Sequence, residues 1–492
     1  YNNSCDGNRS SSSAYETGSG NTIMAYAGIC APNVQSYSDD HFHNYSIVQM
    51  SAFVASSGNC SVNRAITNTP PTISTIPSYT IPYGTPFKLT ANATDAQNDA
   101  LTYVWEQMDR EITTQPPVAT ATSGPNFKSV RPSSSPTRYF PAFSSVLDGN
   151  LSPTWEVLPS VARPLNFAVT VRDNNTAGAQ TRIQNANVTV ANTGPFRITS
   201  PVADNTIWDV NSQQTITWNV AGTTANGINV SSVNILLSLD EGETFTTIAA
   251  GTPNDGTEVV NIPNTPSTNA RILIEANGNI FYTVSKRIVI GYNISQQEVC
   301  KDYTLNYNNL VLNQAAIYYV FNIDVPDNFV VNSTKLSTNI TATRATDVRV
   351  LFKNNGETET YSNSVFSNIN CSSNPSNLVA TFQNSASAIS CTNLNTSSTV
   401  APMQSFTSNG LQANGTWSIL VAKASNRSVS VNQLKLSLCG TETTYTLSTK
   451  TNEIADFKLY PNPNNGEFTL NFESKNDKVE VGVFDLTGRL IL

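Results

Sequence analysis

Over most of this chain apolar and polar residues alternate with a period of two. Runs such as PFKLTANAT, LTYVWEQ, LNFAVTVRD and NANVTVAN follow one another, separated by Pro, Gly, Asn and Asp every ten residues or so. Alternation at that spacing predicts the short strands of β-sandwiches. One stretch has a different period. Phe42, Tyr45, Val48 and Met50 recur at spacings near three, and Phe53 continues the stripe. Ser38-Asp39-Asp40 ahead of it offers an N-cap and acidic first-turn residues, and Gly58 a C-terminal stop. The pattern therefore predicts a mainly β chain of tandem sandwiches, preceded by a small, partly helical unit.

Shifts in texture divide it further. Residues 1–64 hold a Gly/Ser-rich loop, a tight turn around Met24 and Tyr26, and the helix. The Pro-rich lead-in TPPTISTIPSYTIPYG opens one sandwich over 65–193, and a second, which resembles fibronectin and Ig-like modules, follows over 194–292. A third β unit, with IYYVFNIDV, GTWSILVAK and NQLKLSLC, spans 293–440. A Thr/Ser-rich linker over 441–452 leads to residues 453–492, which read as three strands of a further small domain. That domain stops on the apolar strand RLIL without a closing partner. The opening YNNSCDGNRSSSS has neither the basic stretch nor the apolar core of a signal peptide. Both ends thus read as cuts in a longer chain.

Composition narrows the partners. Charged residues make up 13% of the 492 residues and the net charge is −8, which argues against nucleic acid. No apolar run approaches the roughly 18 residues that a transmembrane helix needs. Of the seven cysteines, Cys300, Cys371, Cys391 and Cys439 form an even group within one unit, as disulfides of an oxidising compartment would; buried thiols are the alternative. Cys5, Cys30 and Cys60 form an odd group, and none of the seven makes a CxxC pair.

Chemistry-bearing residues are few. The two histidines, His41 and His43, stand i, i+2 on the expected helix and so point to different sides, which excludes an HExxH-type pair and suggests surface or packing roles. Ser238, Asp240 and Gly242 fit the Asp-box pattern, in which Ser and Asp cap a tight hairpin turn and Gly supplies the unusual backbone angles; a structural role is expected. Asp95, Asn98 and Asp99 offer clustered oxygens to a calcium ion, or form a polar turn.

Four stretches resemble known families. TGSGNTIMAYAGIC followed by SDDHFHNYSI resembles the Met-turn and following helix of metzincin zinc peptidases, most closely reprolysin-like enzymes of Bacteroidetes-type bacteria. In that family an HExxHxxGxxH segment supplies three zinc-binding histidines and a general-base Glu, and zinc-bound water hydrolyses peptide bonds of a protein or peptide substrate. None of those ligands occurs in this sequence, so the resemblance implies that the chain is inactive as given and that zinc belongs to an intact parent. It also implies that Met24 forms the hydrophobic floor beneath the metal. Tyr26 falls where some metzincin branches place a phenol that stabilises the transition state; a packed wall residue is the other reading. DALTYVWEQMD, SPTRYFP and FAVTVRDN are similar to the Ig-like module that follows such catalytic domains. GTWSILVAK and NQLKLSLC resemble the P-domain of proprotein-convertase-like peptidases. LYPNPNNGEFTL, with Tyr460, Pro461, Asn462, Pro463 and Gly466, and VFDLTGRLIL resemble the type IX secretion sorting domain. That last likeness implies the type IX machinery as a partner and a secreted or cell-surface location. A non-enzymatic surface adhesin built of Ig-like modules is the competing reading.

Overall fold

The computed structural model describes residues 2–58, 62, 65–355, 363–367, 369–372, 375–448, 455–461, 466–473 and 482. The fold is mainly β, of the β-sandwich kind, with one helix of length. The chain divides into two compact units, one of residues 1–292 with 447–492 and one of 293–446.

The first unit opens with an irregular segment and helix α1, Asn44–Ser56. The helix starts later than its sequence suggests. His43 is its N-cap, accepting the Tyr45 N–H at Nδ1, while Ser38–Asp40 lie in the preceding loop. The apolar stripe is also exposed: Val48, Met50 and Phe53 face solvent, and the buried residues of the helix are Asn44 and Ser46. The helix is thus anchored by polar side chains near its start.

The first sandwich builds a sheet in the order Tyr79–Pro82, Thr181–Ala191, Arg163–Arg172, Thr102–Gln107, with a parallel first pairing and antiparallel ones after it. Phe87–Thr90 pairs antiparallel with Thr137–Phe140 and closes over it. Their apolar positions converge on Phe87, Phe127, Phe140 and Phe167, with Phe87 stacked on Phe140 at 5.0 Å and Phe127 edge-on at 5.2 Å. The second sandwich orders Thr206–Trp208, Ile288–Ile290, Ser267–Ala276, Ser232–Ser238 and Thr246–Pro253 in one sheet, and Thr257–Asn261, Gln213–Asn219 and Arg197–Ser200 in another. The two sandwiches share one continuous apolar core. Phe281 bridges to Phe87, Phe196 packs edge-on against Phe281, and the Lys88 N–H donates to the Ile280 carbonyl.

The second unit is a two-sheet sandwich. Tyr292–Val311, Val429–Leu447, Val330–Ala342, Leu378–Gln383 and Asn395–Val400 form one sheet; Tyr319–Val325, Gly415–Lys423, Val348–Lys353 and Asn363–Phe366 form the other. Trp417 is fully buried between them against Phe352, its indole N–H donating to the Ala413 carbonyl. Cys300–Cys439 staples the outer strand to its neighbour, and Cys371–Cys391 closes a loop. Cys5–Cys30 is the third disulfide, and Cys60 lies outside the described residues.

Candidate functional site

The Met24 turn is built by hydrogen bonds. Thr22–Ala25 closes as a β-turn through the Ala25 N–H and the Thr22 carbonyl at 3.0 Å, which puts Ile23 and Met24 at its two central positions. Met24 is 50% exposed at the tip, and Tyr26 is half-buried just behind it. Beneath the turn lies Glu16, 2% exposed. Its Oε2 accepts the N–H groups of Asn21 at 2.8 Å and Thr22 at 3.0 Å, and its Oε1 accepts the Thr22 hydroxyl at 2.5 Å. Gly20, at φ 68°, passes so close that a Cβ there would stand 2.7 Å from Glu16 Oε2 and 2.6 Å from the Ala25 Cβ. The Cys5–Cys30 disulfide ties the two ends of the segment. The result is a braced loop with an apolar tip.

His41 and His43 sit beside this loop and are both buried. They precede the helix in non-helical backbone, where residues i and i+2 share a side, so both rings face the same carboxylate instead of diverging. Each Nε2 stands 3.9 Å from Glu106 Oε1, and Glu106 is 1% exposed on the first sandwich. Glu106 Oε1 accepts the Ser129 hydroxyl and Oε2 the Asn44 N–H, each at 2.5 Å. Tyr15 stacks on His43 at 5.7 Å. Asp39, alongside, accepts from Arg131 Nε at 2.7 Å and Asn21 Nδ2 at 2.8 Å. Burial pushes its carboxyl up, but those bonds outweigh it and hold it below the usual carboxylate range. Both histidines are thus spent on a hydrogen-bond network. Among the described residues no three His, Cys, Asp or Glu side chains group so as to hold a metal. The described residues do not fit a zinc site.

Elsewhere the singled-out residues do local work. Ser238 Oγ donates to Asp240 Oδ1 at 2.6 Å and accepts the N–H groups of Asp240 and Gly242. Asp240 in turn accepts the N–H and hydroxyl of Thr244. These bonds, led by that from Ser238, hold the Asp240 carboxyl down at about 2. Gly242, at φ 95°, lies against Phe143 and Leu147 of the first sandwich. Asp95 Oδ1 accepts the N–H groups of Gln97 and Asp99, Asn98 takes φ 60° at the tip, and Asp99 Oδ2 accepts from Asn175. That geometry is a polar turn, with Asp95 Oδ2 left without a partner. Tyr460 ends the strand Ala455–Tyr460, which pairs with Thr469–Glu473; Pro461 and Gly466 lie in the connection, and Asn462 and Pro463 are outside the described residues. Sequence reasoning missed Glu16, Glu106 and Ser129. An acidic residue inside the apolar run TYVWEQ was the one available signal.

Residues 458–492 match the family of the secretion system C-terminal sorting domain. The chain is exported through the outer membrane by the type IX route, to be secreted or held at the cell surface. No helix of the described residues is long and apolar enough to cross a membrane. No curated protein matches the chain. Among solved structures it is similar to the serine protease of Aeromonas sobria in complex with its chaperone, at 13% identity over 30% of this chain and 27% of that one, with a TM-score of 0.21. It is also similar to an I-band fragment of titin, at 12% identity over 52% and 85% of the two chains, TM-score 0.15, and to the FN1–FN3 domains of chicken CNTN1, at 10% identity over 56% and 79%, TM-score 0.15. The match thus spans about a quarter of the length of the Aeromonas protease, and likenesses at these TM-scores carry no argument about activity.

Proposed function

We propose that this chain is part of an exported zinc metalloendopeptidase, contributing the Met-turn floor of the catalytic site, the accessory sandwiches and the sorting tail. The observation that carries the reading is the β-turn Thr22–Ala25 in TIMAYAGIC, which presents Met24 at its tip on a hydrogen-bonded base. A soft, adaptable side chain held out on a fixed loop suits a packing surface under a metal and makes no bond to it. The zinc ligands are not among this chain's residues, so the chain by itself has no peptidase activity. Tyr26 follows as a wall of the site.

The experiment is peptide hydrolysis by the full-length gene product, with and without a chelator. The full-length protein is expected to hydrolyse peptides in a chelator-sensitive way, and the 492-residue chain to show no hydrolysis even with added zinc. Chelator-sensitive hydrolysis by this chain alone, or none by the full-length protein, overturns the reading. Tyr26→Phe in the full-length enzyme is expected to leave kcat unchanged; a fall of about a hundredfold assigns the phenol to stabilising the transition state instead.

A further inference from the structure

The Met24 turn is braced from two sides, and only one of them belongs to its own segment. Glu16 holds it from within; the other brace comes from the first sandwich. From that sandwich the Ser129 carbonyl accepts Asn21 Nδ2 at 3.1 Å, and within the segment the Ile23 N–H donates to the carbonyl of His41, whose ring is held by the sandwich. Ser129 and His41 are in turn fixed to each other, Oγ to Nε2 at 3.0 Å. Ser129 gives its one hydroxyl proton to Glu106, so it accepts from His41 Nε2–H, and His41 Nδ1 is buried without a partner. Glu106 also accepts the Asn44 N–H, and Asn44 Nδ2 donates to Thr170 Oγ1 on the neighbouring strand at 2.9 Å. Two hydrogen bonds therefore lead from this carboxylate through Ser129 to Asn21, beside the turn, and three lead through Ser129 and His41 to Ile23 within it.

A carboxylate buried to 1% exposure, with no Lys or Arg paired to it among the described residues, is costly to keep in a strand whose residues Tyr103–Gln107 are all buried. Its four-way set of partners is what the site gains in exchange. We infer that Glu106 is a positioning residue for the Met24 turn, acting through Ser129 and His41, so that the first sandwich forms part of the platform of the site. This deepens the peptidase reading and rests on it for the meaning of the turn, but the bracing itself involves neither zinc nor activity.

The test is hydrogen exchange and methionine-methyl NMR on the whole chain. Met24 is one of four methionines, which keeps the spectrum resolvable. In Ser129→Ala and Glu106→Gln the amides of Ile23, Ala25 and Tyr26 are expected to exchange about tenfold faster and the Met24 methyl signal to move. The Val169 amide and the Met403 methyl are expected to stay as they are. Ser129→Thr, which keeps the hydroxyl, is expected to restore both signals. If Glu106→Gln fails to fold, the Ser129→Ala and Ser129→Thr pair decides alone. Unchanged turn amides and Met24 signal in Ser129→Ala, or no restoration by threonine, overturn the inference. An inactive full-length protein would sink the peptidase reading and leave these signals untouched.

Discussion

Residues 2–58 and residues 293–446 are stabilised in opposite ways. In the second unit the interior is apolar: among the described residues, thirty-two apolar side chains from Leu312 to Leu438 are buried, against six polar ones. In the N-terminal segment the interior is polar: eleven buried polar side chains from Asn2 to Ser46, against Cys5, Ala14 and Tyr15. Its apolar residues, among them Ile23, Met24, Ile29, Phe53 and Val54, lie outside. Apolar burial is non-directional and tolerates some repacking, whereas a hydrogen-bond network fixes positions and punishes any lost partner. A loop that must hold a shape while presenting apolar side chains is better served by the second device.

Substitutions should separate the two. Trp417→Ala removes a fully buried ring from the second unit and is expected to cost about 3–5 kcal/mol, read as a lower melting transition of that unit. Glu16→Ala strands two backbone N–H groups under the turn and is expected to cost about 1–3 kcal/mol, read as faster exchange within residues 2–58 while the sandwiches hold. An equal loss of protection in all modules would contradict a separately braced N-terminal segment. Acid gives a third probe. The Asp240 carboxyl lies at about 2 when folded, below its unfolded value, so the folded form binds fewer protons between about pH 4 and 2. The stability it contributes is present above that window and is lost as pH falls through it. Asp240→Asn is expected to flatten the acid limb of the second sandwich's unfolding curve. The smallest effect is expected at Phe53→Ser: the ring is 63% exposed, and the change should stay within about 0.5 kcal/mol. A loss of several kcal/mol there would mean that the helix stripe is a core after all.

Much of this was legible in the chain. Alternating strands such as LNFAVTVRD carry their own burial pattern, and Arg163–Arg172 buries alternate and then successive residues as a central strand does. The TIMAYAGIC stretch marked the turn, and Ser238-x-Asp240-x-Gly242 marked its hairpin, because short-range hydrogen bonds leave short-range motifs. The helix start was misplaced because Asp39 is drawn to Arg131, 92 residues away, and not to the helix. The Glu106 network joins positions 23 to 126 residues apart in sequence, and a polar network has no period to read. The exposed stripe of α1 misled for the related reason that periodicity reports a face without reporting what covers it.

The most direct measurement is the in-frame coding sequence immediately upstream of the Tyr1 codon. An HExxHxxGxxH segment is expected there, placed to set its three histidines over Met24. An upstream frame without such a segment would contradict the peptidase reading, and the braced turn would then belong to an exported protein of another kind.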